Sequence, residues 1–323
     1  MNHKIENIIK LIQSYQNITD EEKNNAVKAL QDVNKELEIT AFKLDRTEKV
    51  KKTTAILLEE TIEELEQKRK AVEEQAKIIQ LENDRKSKEL EDARQLQLTM
   101  LPRNLPKLPH LDIAVYMKTA TEVGGDYYDF HTQPDGTLTI LVGDATGHGM
   151  MSGMMVSIMK SFFIADRNTL ELKNFFERSN KSIKEMQLGR LMMACTGVQI
   201  TSEKIIAANA GMPTLIYFRN KSQKAGEFVS NNMPLGAMKE TKYSIKEITY
   251  EKGDTLLLMS DGLAELKNLN KEEYGYAKVT EEFESVAQKN PSEIVEHLKN
   301  SASEWLDGTE PDDDITFVVI KVK

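Results

Sequence analysis

LPRNLPKLP, Leu101 to Pro109, divides the chain into two textures. Its three prolines remove backbone donors and push the residues before them toward extended conformations, so a helix cannot continue through it. We read it as a domain boundary. Upstream, as far as about Leu98, there is neither glycine nor proline, and Glu, Lys, Gln and Leu recur, so helix is the only structure locally encouraged. Downstream the sequence turns to short β-type runs punctuated by turn residues such as PDG and KGD.

In the upstream half, alternating steps of four and three pass through Leu58, Ile62, Leu65, Arg69, Val72, Ala76, Ile79, Asn83, Lys86, Leu90, Ala93 and Gln97. This is a heptad seam with a few polar members. A lone helix of this length would bury little surface, so the seam predicts a coiled coil and a homodimer through residues 51–100. Asn83 and Lys86 are candidates for fixing register or for weakening the coil locally. Residues 1–50 carry shorter apolar clusters, IIKLI and AVKAL, and predict a short helical segment.

In the downstream half, residues 101–323, the runs DIAVYM, TLTILVGD, MMACTGVQI, KIIAANA, TLIYF, YSIKEITY, DTLLLMSD and ITFVVIKV read as strands. Helical patterns cover Met150 to about Gln187 and about Lys271 to Trp305, the second broken near Pro291. Blocks of strands and blocks of helices, without regular βα alternation, predict an α+β domain with antiparallel sheets. The methionines at 150, 151, 154, 155 and 159 have helical spacing and are expected to pack in the core.

Charge narrows the function classes. The 323 residues hold 52 acidic and 43 basic side chains, a formal charge of −9, and no run of Lys and Arg interleaves with aromatics. Nucleic acid is not an expected partner. No apolar run approaches the roughly 20 residues of a membrane span, and the N-terminus has no signal-peptide core, so a cytoplasmic protein is expected. The single cysteine, Cys195, lies in the apolar LMMACTGVQI and reads as a small buried residue.

Carboxylates carry the chemical signal. Asp144 follows an apolar strand in LTILVGDATGHGM, and Asp261 follows another in DTLLLMSDG. Asp312, Asp313 and Asp314 open the last strand, and Asp126 follows two glycines in EVGGDYYDF. One acid at a strand end is ordinarily a turn residue. Recurrence beside buried strands and glycines is different, because clustered carboxylates repel and desolvate one another unless a cation neutralises them. Hard cations, Mg²⁺ or Mn²⁺, suit an all-oxygen site. The loop GDATGHGM lacks the Lys and Ser or Thr of a phosphate-binding P-loop. Asp144 and the Ala145 carbonyl can instead face a metal, with Gly147 and Gly149 turning the chain. GGDYYDF departs from the GGDEF motif of nucleotide cyclases at Tyr127, and nothing else in the chain supports that match.

Taken in order, EVGGDYYDF, LVGDATGHGM, NAGMPTLIYF, MPLGAM, GDTLLLMSDGLAEL and DDDITFVVIK resemble the bacterial PP2C-like serine/threonine phosphatases of the SpoIIE/RsbU type. The resemblance spans about Asp112 to Val322, and LEDARQLQLTMLPRNLP resembles the helical linker that leads into such domains. It implies an antiparallel β-sandwich flanked by helices, with two Mn²⁺ or Mg²⁺ ions at one end. By motif match the metal carboxylates are Asp126, Asp144, Asp261 and Asp313, with Asp314 as the alternative to Asp313 and the Ala145 carbonyl as a further oxygen. It also implies hydrolysis by metal-activated water without a side-chain nucleophile. His148 is a candidate proton donor or a turn residue. The implied substrate is a phosphorylated regulatory protein, of the STAS type that antagonises anti-sigma factors. An inactive dimeric scaffold that binds the phosphoprotein is the alternative. Thr119 stands where the family often has proline, and Met212 where it usually has histidine after NAG.

Overall fold

The computed structural model describes residues 2–120, 123–229 and 232–323. It divides into two units, residues 1–83 and 84–323. The first holds helix α1 (His3–Ser14) and most of α2 (Asp20–Met100), which runs on into the second. Asn2 caps α1 by accepting the Lys4 N–H, and the Asn2 N–H donates to the side chain of the buried Asn34 on α2 at 3.0 Å. Ile5 and Ile9 on α1 are buried. The seam from Leu58 to Ile79 is different: Leu58, Ile62, Leu65, Val72 and Ile79 are all exposed. Among the described residues no helix is long and apolar enough to cross a membrane.

The second unit is α+β. Its strands are β1 (Leu111–Lys118), β2 (Asp126–Thr132), β3 (Leu138–Ala145), β4 (Met193–Ile200), β5 (Lys204–Ala210), β6 (Leu215–Arg219), β7 (Lys224–Phe228), β8 (Ile245–Thr249), β9 (Thr255–Met259) and β10 (Ile315–Val322). They form two five-stranded antiparallel sheets, ordered β1-β10-β9-β6-β7 and β2-β3-β4-β5-β8. Helices α3 (Met150–Asp166) and α4 (Leu172–Glu185) join β3 to β4, and α5 (Tyr276–Val286) and α6 (Pro291–Leu306) precede β10.

Four layers stack as helices, sheet, sheet, helices, with an apolar core at each of the three junctions. Between the sheets lie Ile140 and Val142 of β3, Val198 of β4, Leu256 and Leu258 of β9, and Val318 and Ile320 of β10. Leu141 and Cys195 face the other way, toward Phe163, Phe175 and Phe176 of α3 and α4. Leu257, Phe317 and Val319 pack with Phe283, Ile294 and Leu298 of α5 and α6. Central strands covered on both faces read as continuous apolar runs, which is why β3, β9 and β10 show almost no polar alternation.

Local chemistry sets the element ends. Pro291 starts α6 rather than breaking a longer helix, because Asn290 and Glu293 form a reciprocal capping box around it. The first helical block is likewise two helices, with Leu170 and the start of α4 folded onto the β4 face. Two strands escape the sequence reading: β2, rich in polar and aromatic residues, and β7, a short and mostly exposed KAGEF with a glycine at its centre. The methionines need a correction. Met155 and Met159 are buried, but Met150, Met151 and Met154 are exposed at the start of α3, because only one face of that helix meets the sheet.

Candidate metal centre

Asp126 begins β2 and is paired in register with Asp144, the penultimate residue of β3. Asp261 follows β9 in a single 3₁₀ turn, and Asp313 lies two residues before β10. The four segments end at one mouth of the sandwich, two from each sheet. The carboxylates of Asp126, Asp144, Asp261 and Asp313 feel one another's charge there, as does Asp314. The structure thus brings together acids separated by up to 188 positions in sequence.

Glycines make the approach possible. A Cβ on Gly125 would stand 2.9 Å from the Ala145 carbonyl oxygen, 3.0 Å from Asp144 Oδ1 and 3.3 Å from the Gly147 carbonyl. Three oxygens therefore converge on space that any other residue would fill. The Ala145 N–H donates to the Gly125 carbonyl at 3.0 Å, fixing the two backbones side by side. Gly147 and Gly149 both have φ of +83°, the left-handed region that turns the loop into α3 at little steric cost. Gly262 packs so closely that a Cβ would overlap the Asp314 carbonyl, which locks the turn after β9 against the approach to β10.

Electrostatics show what this assembly costs without a counterion. Burial, offset in part by hydroxyl hydrogen bonds, raises Asp126 to about 8, and the charges of Asp314 and Asp261 add to the rise. Burial raises Asp144 to about 9, with Asp126, Asp261, Asp313 and Asp314 all contributing. Asp261 is pushed up by burial and by Glu265, and Asp313 by burial and by Asp261 and Asp314. Among the described residues no group of three or more His, Cys, Asp or Glu side chains stands close enough together to hold a metal ion. By donor chemistry alone, all oxygen and strongly anionic, these residues suit a hard divalent cation rather than zinc.

Sequence reasoning missed the supporting roles of Ser260 and Gln97, and named Asp314 only as an alternative ligand. Ser260 donates its hydroxyl to Asp126 Oδ2 at 2.9 Å and accepts the Thr316 N–H at 3.0 Å, holding the carboxylate from across the sandwich. Gln97, counted in the heptad seam, is instead buried near the end of α2. Its side chain donates to the Gly124 carbonyl at 2.7 Å and accepts the Gly124 N–H at 3.2 Å. Asp314 accepts backbone N–H groups from Ala120, Gly125 and Asp126. None of these pairings has a local sequence signal, since each joins residues at least 27 apart. His148 lies exposed on the rim, and its charge acts on Asp313.

The sequence profile described as Stage II sporulation protein E (SpoIIE) matches residues 134–323, more than half of the chain. The chain belongs to the SpoIIE family of PP2C-like phosphatases. Phosphoserine phosphatase RsbU of Bacillus subtilis (strain 168) is 23% identical over 240 residues, covering 73% of this chain and 70% of RsbU. Protein IcfG of Synechocystis sp. is also 23% identical, over 263 residues that make up 72% of this chain but only 41% of IcfG. Among solved structures, the SiaA-PP2C domain of Pseudomonas aeruginosa covers 75% of this chain and 98% of its own, with 20% identity and a TM-score of 0.66. The PP2C phosphatase domain of Bacillus subtilis SpoIIE, with a fragment of its regulatory domain, covers 66% of this chain and 62% of its own, with 16% identity and a TM-score of 0.55. The PP2C-like sandwich is therefore the fold of this SpoIIE-family member.

Proposed function

We propose that this protein is a metal-dependent protein serine/threonine phosphatase. The observation that carries this reading is the oxygen cradle at Gly125, where Asp144 and the Ala145 carbonyl meet beside the buried Asp126. RsbU, a relative by sequence, is named a phosphoserine phosphatase.

Asp126, Asp144, Asp261, Asp313 and the Ala145 carbonyl would hold Mn²⁺ or Mg²⁺, two ions in the family pattern. When bound, such ions supply an activated water and neutralise phosphoryl oxygens. The chain's own part is to aim its oxygens before any ion arrives. Register places Asp126 opposite Asp144, Ser260 fixes the Asp126 rotamer, and the left-handed glycines turn the loop clear of the mouth. His148 on the rim is the group available to carry a proton to the departing seryl or threonyl oxygen. The substrate is a phosphorylated regulatory protein of the STAS type.

Regulation runs through α2. Gln97 grips both polar groups of the Gly124 backbone, two residues before Asp126, so a shift of the helix end would move the metal loop. The exposed seam from Leu58 to Ile79 supplies the dimer contact.

Phosphate release from a phosphoserine STAS protein with Mn²⁺ tests the assignment. Asp144→Asn and Asp261→Asn are expected to abolish release. Full activity in both variants would overturn the reading, and binding without release in the wild type would favour a scaffold.

A further inference from the structure

Asp314 is the only one of the three successive acids whose carboxylate is engaged on both oxygens by backbone donors among the described residues. Its Oδ1 accepts the Ala120 N–H at 2.7 Å, and its Oδ2 accepts the Gly125 N–H at 2.6 Å and the Asp126 N–H at 3.4 Å. The side chain is buried, with only 5% of the residue exposed. Asp312, by contrast, is exposed and reaches Lys267, and Asp313 keeps one oxygen on the Asp314 N–H and turns toward the shared charge of the mouth.

The placement of these donors matters. Ala120 lies just past β1, in one sheet, whereas Gly125 and Asp126 lead β2, in the other. Asp314 itself leads β10, the neighbour of β1. One carboxylate therefore ties together the ends of strands from both sheets. A carboxylate suits this task, because both of its oxygens accept hydrogen bonds and neither carries an amide donor. An asparagine would turn an NH₂ toward one of the N–H groups. Gly124 completes the fit: a Cβ there would stand 2.6 Å from Asp314 Oδ2.

We propose that Asp314 is a positioning residue, an anionic latch that sets the backbone entering Asp126, and that it does not ligate metal. This inference rests on the reading of Asp126 as a metal carboxylate. Asp313 is then the fourth metal carboxylate, and the second acid of the motif serves the loop instead of the ion.

The test compares Asp314→Asn with Asp313→Asn in the full-length protein. Amide hydrogen exchange at Ala120 and Gly125 is followed without metal, with the amides of β3 and β4 as internal reference, and Mn²⁺ stoichiometry is then measured by calorimetry. Asp314→Asn is expected to speed exchange at Ala120 and Gly125 by about tenfold or more, the loss of a charge-assisted bond, while binding as many ions as the wild type. Asp313→Asn is expected to leave that exchange unchanged and to lose an ion. Loss of an ion in Asp314→Asn with unchanged exchange would overturn the proposal. Should Asp314→Asn unfold, Asp314→Ser, which retains one acceptor, is read in the same way. The exchange measurement needs no turnover, so an inactive wild type would refute the phosphatase reading without touching this one.

Discussion

Ile62 and Leu65 on α2 are 49% and 61% exposed, whereas Ile140 and Leu141 in β3 are fully buried. Both pairs are aliphatic and both lie in regular structure, yet they meet opposite surroundings. The sandwich buries both faces of its central strands with its own helices, so its stability is a property of one chain. The stalk presents a stripe that its own chain does not cover there. The difference teaches where concentration should matter: changes in the sandwich should act at any dilution, and changes in the stalk should act only through the proposed pairing.

The largest effect that could break this division is expected at the metal mouth. Asp144→Asn should lower phosphate release on the order of a thousandfold at saturating Mn²⁺, equally at dilute and concentrated protein. A loss that vanished on concentrating the protein would join the two regions the comparison separates. Next comes the seam. Replacing Ile62 and Leu65 together by Asp should convert dimer to monomer in sedimentation equilibrium, removing roughly 1.5–3 kcal/mol for each side chain buried in the pair. The fluorescence of Trp305, the sole tryptophan and a residue of α6, should report an unchanged sandwich.

Ser260→Ala should weaken Mn²⁺ binding by about 10- to 100-fold in calorimetry, as expected when the support of a metal carboxylate is removed. An unchanged affinity would show that Asp126 needs no help across the sheets. Proton linkage sharpens the electrostatic side. Asp126 and Asp144 ionise near 8 and 9 in the fold but near 4 when unfolded, so between those values the folded state binds more protons. Without metal, the stability that depends on these two carboxyls is fully present in acid and should fall as pH rises from 5 to 9, by up to about 1.4 kcal/mol per pH unit for each group. Thermal melts should show that fall, and Mn²⁺ should reverse most of it above pH 8.

The two regions were also unequally legible in sequence. The end of the long helix before LPRNLPKLP, the apolar strands and the α+β class follow from short-range propensities, and the structure has them, although its two units divide at Asn83 rather than at the prolines. Strand β2 was hidden because its polar and aromatic residues serve the site and α3: Asp129, for instance, pairs with Lys160 at 2.6 Å and accepts from Tyr127. Gln97 fitted the heptad by spacing, but its environment is set by Gly124, far along the chain. The acidic positions could be picked out because each adjoins a strand or a glycine. What Asp314 and Ser260 do could not, since a hydrogen bond between remote residues leaves no periodic trace. The exposed start of α3 was misread for the reverse reason, as methionine spacing does not say which faces of a helix are covered.

The mouth of the sandwich has one more consequence. Asp126 and Asp144 belong to one sheet, and Asp261 and Asp313 flank strands of the other. A cation held by acids from both would act as a removable clasp at the open edge, resisting the parting of the layers through which proteases gain entry. The lifetime of the chain under limited proteolysis should then lengthen with Mn²⁺ and shorten with a chelator. Metal supply would set how long each molecule survives as well as how fast it works.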